Sequence, residues 1–165
     1  MMDQHIKLSP HFTLGEMTTS KHKEIKNEPT GGALDNLINL CQWLEKLRQS
    51  YNEWFDAVCE LPNGKLHDKP IVINSGYRCP MLNRVVGGQE TSNHLTGCAC
   101  DIRANDGRDA ILKAELLIEI FEASDESWDE IIVERKGAKT WWVHFAVRPK
   151  NGKLPNRKKV TIMSG

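Results

Sequence analysis

The chain has 165 residues, of which 22 are lysine or arginine and 22 are aspartate or glutamate. This length suits one domain, since a fold of this size buries roughly 70% of the surface that its unfolded chain exposes. The balanced charge excludes a global field that would draw the protein onto nucleic acid or anionic lipid, and we expect neither partner. No stretch approaches 18 apolar residues and the N-terminus lacks signal-peptide features, so we expect cytoplasmic synthesis without membrane insertion.

The first half of the chain predicts one long helix between less regular segments. Residues 1–33 read as an irregular arm, and apolar residues at helical spacing predict a helix over residues 34–58. The β-branched run at residues 71–73 predicts a short strand. Residues 80–86 predict a short helix that ends at the glycine pair beginning with Gly87, where positive φ angles are expected.

The second half predicts another long helix and three strands. Asp106 is expected to be the N-cap of that helix, because the apolar residues after it recur at helical spacing. Strands are predicted over residues 131–133, 141–147 and 160–163. Helices and strands do not alternate strictly, so the pattern favours an α+β fold with a small antiparallel sheet and two long helices.

The stretch TSNHLTGCACDIRAND, residues 91–106, contains the pattern S-x-H-x-x-G-x-A-x-D. His94 and Asp101 offer an imidazole nitrogen and a carboxylate oxygen, a combination that suits Zn²⁺ at about 2.0–2.2 Å. Gly97 would let the chain reverse between them. Two ligands do not complete a site, and His144 lies in a strand-like run that could supply the third. Three protein ligands would leave one tetrahedral position open to water, as in catalytic zinc sites.

Several segments resemble the M15 metallopeptidases, the group of D-alanyl-D-alanine carboxypeptidases and phage endolysins. The segments are INSGYRCPMLNRVVGG, SNHLTGCACDI, WDEIIVE and WVHF, together with HFTLGEM and NLINLCQWLEKLR nearer the N-terminus. The similarity covers roughly residues 8–148. It implies a Hedgehog/DD-peptidase-like fold and one zinc ion as cofactor. We predict a single domain over residues 1–165, with residues 1–33 as an N-terminal arm and residues 149–165 as a basic C-terminal segment.

The resemblance also implies roles for individual side chains. Three of them would be zinc ligands, namely His94, Asp101 and His144. Arg78 would be the cation that steadies the substrate carbonyl or the oxyanion formed from it, because charge-assisted hydrogen bonds are strongest in a dry site. Ser92 is a candidate hydrogen-bond partner of the substrate. Strand alternation places Trp142 on the same side as His144, where it would line a substrate groove.

One position departs from the family pattern. Better-known members carry the general base three residues before the last histidine ligand, and that position is Trp141 here. A site without a general base would lose about 10²- to 10⁴-fold in rate. Similar sequences of the subgroup place a glutamate at the end of the preceding strand, which makes Glu134 the candidate base.

The geometry of the predicted hairpin decides whether Glu134 can act. Because strand side chains alternate, Glu134 shares a face with His144 only if the loop between the two strands has an odd number of residues. A loop of three or five residues meets this condition. A four-residue loop would place Glu134 on the opposite face and bring Glu130 or Asp129 into consideration.

Together these inferences predict a zinc-dependent peptidase that hydrolyses peptide bonds in peptidoglycan stem peptides next to D-alanine. It would act as a D-Ala-D-Ala carboxypeptidase or as an L-Ala-D-Glu endopeptidase of the endolysin type. We expect a monomer whose partners are peptidoglycan or D-Ala-containing peptides, and which reaches the cell wall after phage-type release. Trp141 favours an alternative, a non-catalytic metal-binding module of a cell wall or phage. A cytosolic zinc dipeptidase acting on small D-peptides is a third reading.

Overall fold

Two β-sheets and two long helices form the fold, in a computed structural model that describes residues 1–149 and 151–162. The larger sheet has five strands, which in spatial order are β3 (Ile73–Ser75), β4 (Ala99–Ala104), β6 (Thr140–Ala146), β5 (Glu130–Lys136) and β7 (Lys159–Ile162). Neighbouring strands are antiparallel except β5 and β7, which are parallel. The α+β class is therefore confirmed, with a mixed sheet as its larger component.

The N-terminal arm is more ordered than its sequence predicts. A two-stranded antiparallel sheet joins β1 (Lys7–Ser9) to β2 (Phe12–Thr13), and the one-turn helix α1 (Leu14–Met17) follows directly. Thr13 and Glu16 form a reciprocal capping box at the start of α1. The sequence does not predict these short elements, because segments of two to four residues are too short to show a hydrophobic period, and the rest of residues 1–32 is irregular as expected.

The two long helices are confirmed. The first, α2, spans Ala33–Val58, and the second, α4, spans Gly107–Glu122. Asp106 is the N-cap of α4, since its side chain accepts a hydrogen bond from the backbone N–H of Asp109. Both helices turn an apolar face inward, and Trp43 of α2 stacks on Phe121 of α4 with ring centroids 4.0 Å apart. Such aromatic pairs add to the free energy of burial.

The shorter elements differ from the sequence predictions at their ends. Strand β3 begins at Ile73 rather than at residue 71, although Ile71 is buried. Helix α3 (Pro80–Val85) ends at a residue pair in which only the first glycine, Gly87, has a positive φ. The last predicted strand corresponds to β7, and Met163 lies outside the described residues.

The five-stranded sheet has two chemically different faces. One face packs against α4 and belongs to the same hydrophobic core as α2, and its buried residues include Cys100, Ile102, Ile131, Val133, Val143 and Phe145. The residues that alternate with them point to the opposite face, which carries charged and polar side chains. Among the described residues no helix is long and apolar enough to cross a membrane.

Candidate metal centre

Three side chains predicted as metal ligands converge on the polar face of the sheet. Asp101 of β4 pairs directly with His144 of β6, and His94 comes from a 3₁₀ turn, Asn93–Thr96, just before β4. Oδ1 of Asp101 lies 3.0 Å from Nδ1 of His144 and 3.4 Å from Nε2 of His94. One ligand atom from each of the three residues lies within 4.8 Å of the other two. This spacing allows one cation to contact all three side chains.

His94 is held in one orientation by its backbone surroundings. Its ring is almost fully buried, and Nδ1 donates to the carbonyl oxygen of Gly76 at 2.6 Å. The Ser92 hydroxyl caps the 3₁₀ turn, and Gly97 ends it with a φ of 73°. A Cβ atom at Gly97 would lie 2.3 Å from the carbonyl oxygen of Ala33, so only glycine fits there. The bond to Gly76 leaves Nε2 of His94 as the nitrogen that faces Asp101.

His144 lies between two carboxylates. Its Nδ1 faces Asp101, and its Nε2 lies 3.0 Å from Oε2 of Glu130. Burial alone would lower the pKa of His144, but the hydrogen bonds to Asp101 and Glu130 outweigh burial and raise the pKa to about 9. A neutral imidazole has one N–H and can donate to only one of the two carboxylates. Two carboxylates therefore favour the protonated, positively charged ring of His144 unless a metal ion binds to Nδ1 on the Asp101 side.

Asp101 uses its two oxygens for different partners. Oδ2 accepts a hydrogen bond of 2.8 Å from Arg78, while Oδ1 faces the two histidines. Arg78 is itself fixed by a bond from its Nε to the Ser75 hydroxyl. Burial would raise the pKa of Asp101, but its hydrogen bonds with His144 and His94 hold that pKa well below the usual range. Asp101 is thus an anion with one oxygen directed at the centre.

The donor set fits a zinc ion. Two imidazole nitrogens and one carboxylate oxygen are typical ligands of catalytic zinc, and each has a hydrogen-bonded partner on the side away from the centre. Those partners are Gly76 for His94, Glu130 for His144 and Arg78 for Asp101. A zinc ion would take the place of the proton that Nδ1 of His144 shares with Oδ1 of Asp101, 3.0 Å away.

Glu134 lies on the same face as this centre. The β5–β6 hairpin pairs Lys136 with Thr140, so its loop has three residues, 137–139. This odd loop pairs Glu134 with Trp142, two positions along the strand from the pair of Ile132 and His144, so both pairs face the same side. Glu134 is half-buried and lines a cavity of about 390 Å³ together with His144 and Ser92. Within the described residues its carboxylate has no hydrogen-bond or ion-pair partner.

The two other acids that the sequence leaves open occupy different positions. Glu130 shares the polar face but is bound to Nε2 of His144, on the side of the ring away from Asp101. Asp129 immediately precedes β5 and is fully buried, and it accepts hydrogen bonds from Arg157 and Asn93. Among these three acids, Glu134 is the one whose carboxylate is not engaged by a neighbouring side chain.

The two tryptophans of β6 separate as strand alternation predicts. Trp141 packs against the hydrophobic core, and Arg135 lies over its ring. Trp142 lies on the face of His144, although it is not among the residues that line the 390 Å³ cavity. Ser92 lines that cavity and also caps the turn that carries His94.

Sequence reasoning did not identify the residues that fix the backbone of the loop next to the site. Asn27 accepts a hydrogen bond from the backbone N–H of Cys79 and donates one to the carbonyl oxygen of Tyr77. These bonds fix the segment that contains Gly76 and Arg78. No local pattern marks Asn27, because its partners lie about fifty positions along the chain.

Comparison with known proteins supports the same chemistry. A model of the family described as Peptidase M15 matches residues 61–135. The matched segment contains Arg78, Ser92, His94, Asp101 and Glu134. His144 lies beyond the match, and the sheet brings it to the other two ligand candidates. No curated protein matches the chain.

Proposed function

We propose that this chain is a zinc-dependent peptidase of the M15 family, whose model matches residues 61–135, and that it hydrolyses peptide bonds in peptidoglycan stem peptides next to D-alanine. The observation that carries the proposal is the convergence of His94, Asp101 and His144 beside a cavity that Glu134 lines. Hydrolysis of an amide bond needs a Lewis acid and a general base. A metal bound by the three ligands would supply the first, and the carboxylate of Glu134, which has no hydrogen-bond partner among the described residues, would supply the second.

The proposed zinc ligands are Nε2 of His94, Oδ1 of Asp101 and Nδ1 of His144, the atoms that face one another in the structure. When bound, zinc would supply a Lewis acid at the centre. His94 donates to Gly76, His144 donates to Glu130, and Asp101 accepts from Arg78, and these hydrogen bonds would keep the ligands oriented.

Glu134 is the proposed general base. Its carboxylate would accept the proton of the attacking water and then return it to the leaving amine, so that one residue serves both steps. Arg78 carries a fixed positive charge beside Asp101 and would contribute to stabilising the oxyanion. Ser92 and Trp142 are the proposed substrate contacts, since both lie on the same side of the sheet as the centre.

A second candidate function is a metal-binding module without catalysis. The observation that favours it is Trp141, an apolar residue packed in the core at the position where better-known relatives carry the base. In that case Glu134 would be an ordinary strand-end charge. The two candidates make opposite predictions for the substitution of Glu134.

We predict that Glu134→Gln lowers the rate of peptidoglycan hydrolysis by about 10²- to 10⁴-fold while zinc remains bound, because glutamine keeps the shape but cannot accept a proton. Hydrolysis is measured by mass spectrometry of the released peptides, and zinc by elemental analysis of the purified protein. Glu122→Gln, an exposed change at the end of α4, is the matched control. If zinc-loaded wild-type protein releases no peptide, the peptidase proposal is wrong and the non-catalytic metal-binding module is favoured.

A further inference from the structure

A second cavity adjoins the one that contains the candidate metal centre. The first, the site cleft, has about 390 Å³ and is lined by Ser92, Glu130, Glu134, His144, Arg148 and Arg157, among others. The second, which we call the basic arm, has about 260 Å³, and its walls include Asn36, Thr96, Cys98, Arg148, Lys153 and Leu154. Ser92, Asn93 and Arg148 belong to both linings, so the two cavities form one groove.

The two parts of this groove differ in charged composition. The site cleft contains both acidic and basic side chains, the carboxylates of Glu130 and Glu134 and the guanidinium groups of Arg148 and Arg157. Of the described residues that line the basic arm, none is acidic, and two are cations, Arg148 and Lys153. A peptide that lies along the groove with its scissile bond at the centre would therefore meet positive charge on one side of that bond.

Arg148 is held rigidly at the junction. Its Nε lies 3.3 Å from a carboxylate oxygen of Asp129 and 3.4 Å from Oδ1 of Asn93, and its Nη1 donates to the carbonyl oxygen of Pro155. Within residues 1–149 and 151–162, Nη2 has no hydrogen-bond partner. A guanidinium group that is fixed through Nε and Nη1, and whose Nη2 is unpaired, is preorganised to donate hydrogen bonds to a carboxylate.

The charge of Arg148 is only partly neutralised by its neighbour. Asp129 already accepts three hydrogen bonds from Arg157 and one from Asn93. Lys153, which also lines the basic arm, is exposed and has no ion-pair partner among the described residues. The basic arm therefore keeps an excess of positive charge that the fold itself does not use.

We propose that the basic arm is a subsite for a non-terminal carboxylate of the substrate peptide, so that the enzyme prefers acidic stem peptides to their amidated forms. This proposal rests on the proposed function, because it names a feature of the same substrate. It predicts recognition at a distance from the scissile bond, through Arg148 and Lys153.

The test is a binding measurement that does not depend on turnover. Zinc-loaded Glu134→Gln protein is titrated calorimetrically with two synthetic stem pentapeptides, one with free non-terminal carboxylates and one with those carboxylates amidated. We expect the amidated peptide to bind about fivefold more weakly, the size typical of one partly exposed charged contact. Higher salt concentration should shrink the difference.

The variant Lys153→Gln, made in the same background, should reduce the preference to about twofold or less. Lys139→Gln, in the exposed β5–β6 loop, is the matched control and should leave it unchanged. Equal dissociation constants for the two peptides, an undiminished preference in Lys153→Gln, or binding of neither peptide at millimolar concentration would overturn the subsite. Failure of wild-type protein to cleave either peptide counts instead against the proposed function.

Discussion

At the scale of single residues, the two histidines of the centre offer different nitrogens because each has a different partner. His94 gives its Nδ1 proton to the carbonyl oxygen of Gly76, which leaves Nε2 for the centre. His144 has Glu130 at Nε2, which leaves Nδ1. The ring that donates to a fixed acceptor cannot rotate without losing a buried hydrogen bond, and this fixes the direction of its lone pair.

The bond between Glu130 and His144 gives a prediction about zinc affinity. Glu130→Ala should weaken zinc binding about 10- to 100-fold, because the ring of His144 loses the acceptor that orients it. Glu130→Gln should retain most of the affinity, since an amide oxygen also accepts from Nε2–H. Competition with a chromophoric chelator measures both values.

A control separates this effect from general damage to the fold. The unfolding midpoint of the zinc-free Glu130→Ala protein shows whether the sheet itself is weakened. An alanine variant that binds zinc as tightly as wild type would mean that Glu130 does not position His144.

Single residues also show where sequence reasoning reaches its limit. His94, Asp101 and His144 could be proposed from the sequence because their types and spacing are rare in combination. Gly76 and Glu130 could not be assigned as their hydrogen-bond partners, because those bonds depend on how separate segments approach one another. The atoms that hydrogen-bond to the ligand side chains are brought there by tertiary packing, and a local sequence pattern does not encode that packing.

At the scale of elements, the β5–β6 hairpin decides which acid reaches the centre. Its three-residue loop contains Gly137 with a φ of 64°, a conformation that favours glycine. The sequence left loops of odd and even length open, because a run of small and basic residues does not define where pairing ends. The long helices were predictable because many apolar positions repeat, whereas β7 pairs with β5 across about thirty intervening residues.

Asp129, just before β5, connects three segments of the chain. Its carboxylate contacts Asn93 of the 3₁₀ turn, Arg148 after β6 and Arg157 before β7. Burial would raise its pKa, but hydrogen bonds from Arg157 and Asn93 lower it overall. Asn93 belongs to the turn that carries His94, so this buried carboxylate links the start of β5 to the metal centre. Removing its charge leaves two arginines without their shared partner.

We predict that Asp129→Asn lowers the free energy of unfolding by about 3 kcal/mol at pH 7, because it breaks a buried ion pair. A carboxyl group with a depressed pKa stabilises the fold above its unfolded pKa of about 3.9 and loses that contribution as pH falls through its lower folded pKa. The gap between wild type and variant should therefore narrow below about pH 4. Denaturant unfolding at pH 7, 5, 4 and 3 measures the gap, and a constant gap would contradict the assignment.

At the scale of the whole molecule, the N-terminal arm braces the loop that carries Gly76 and Arg78. The carbonyl oxygen of Met17 accepts a hydrogen bond from the backbone N–H of Tyr77. Asn27 adds three bonds, to the backbone of Thr18, Tyr77 and Cys79. The arm thus supports one side of the centre, although none of its residues is a ligand candidate.

We predict that Asn27→Ala lowers the free energy of unfolding by about 1–3 kcal/mol, because it leaves backbone groups without partners. It should also weaken zinc binding, since the carbonyl oxygen that orients His94 belongs to the braced loop. Lys23→Ala, an exposed change in the same arm, is the control. Chemical unfolding and zinc titration are the measurements, and unchanged zinc affinity in Asn27→Ala would show that the loop keeps its shape unaided.

The close approach at Gly76 also constrains how this protein can vary. A Cβ atom there would lie 2.2 Å from the carbonyl oxygen of Met17, a rigid backbone atom with no room to withdraw. Only glycine therefore fits at this position. A shift of the backbone in the N-terminal arm would require a matching shift in the loop that contains Gly76. Transfer of this candidate metal centre to another scaffold would require the first thirty residues as well, because they form the other side of the contact at Gly76.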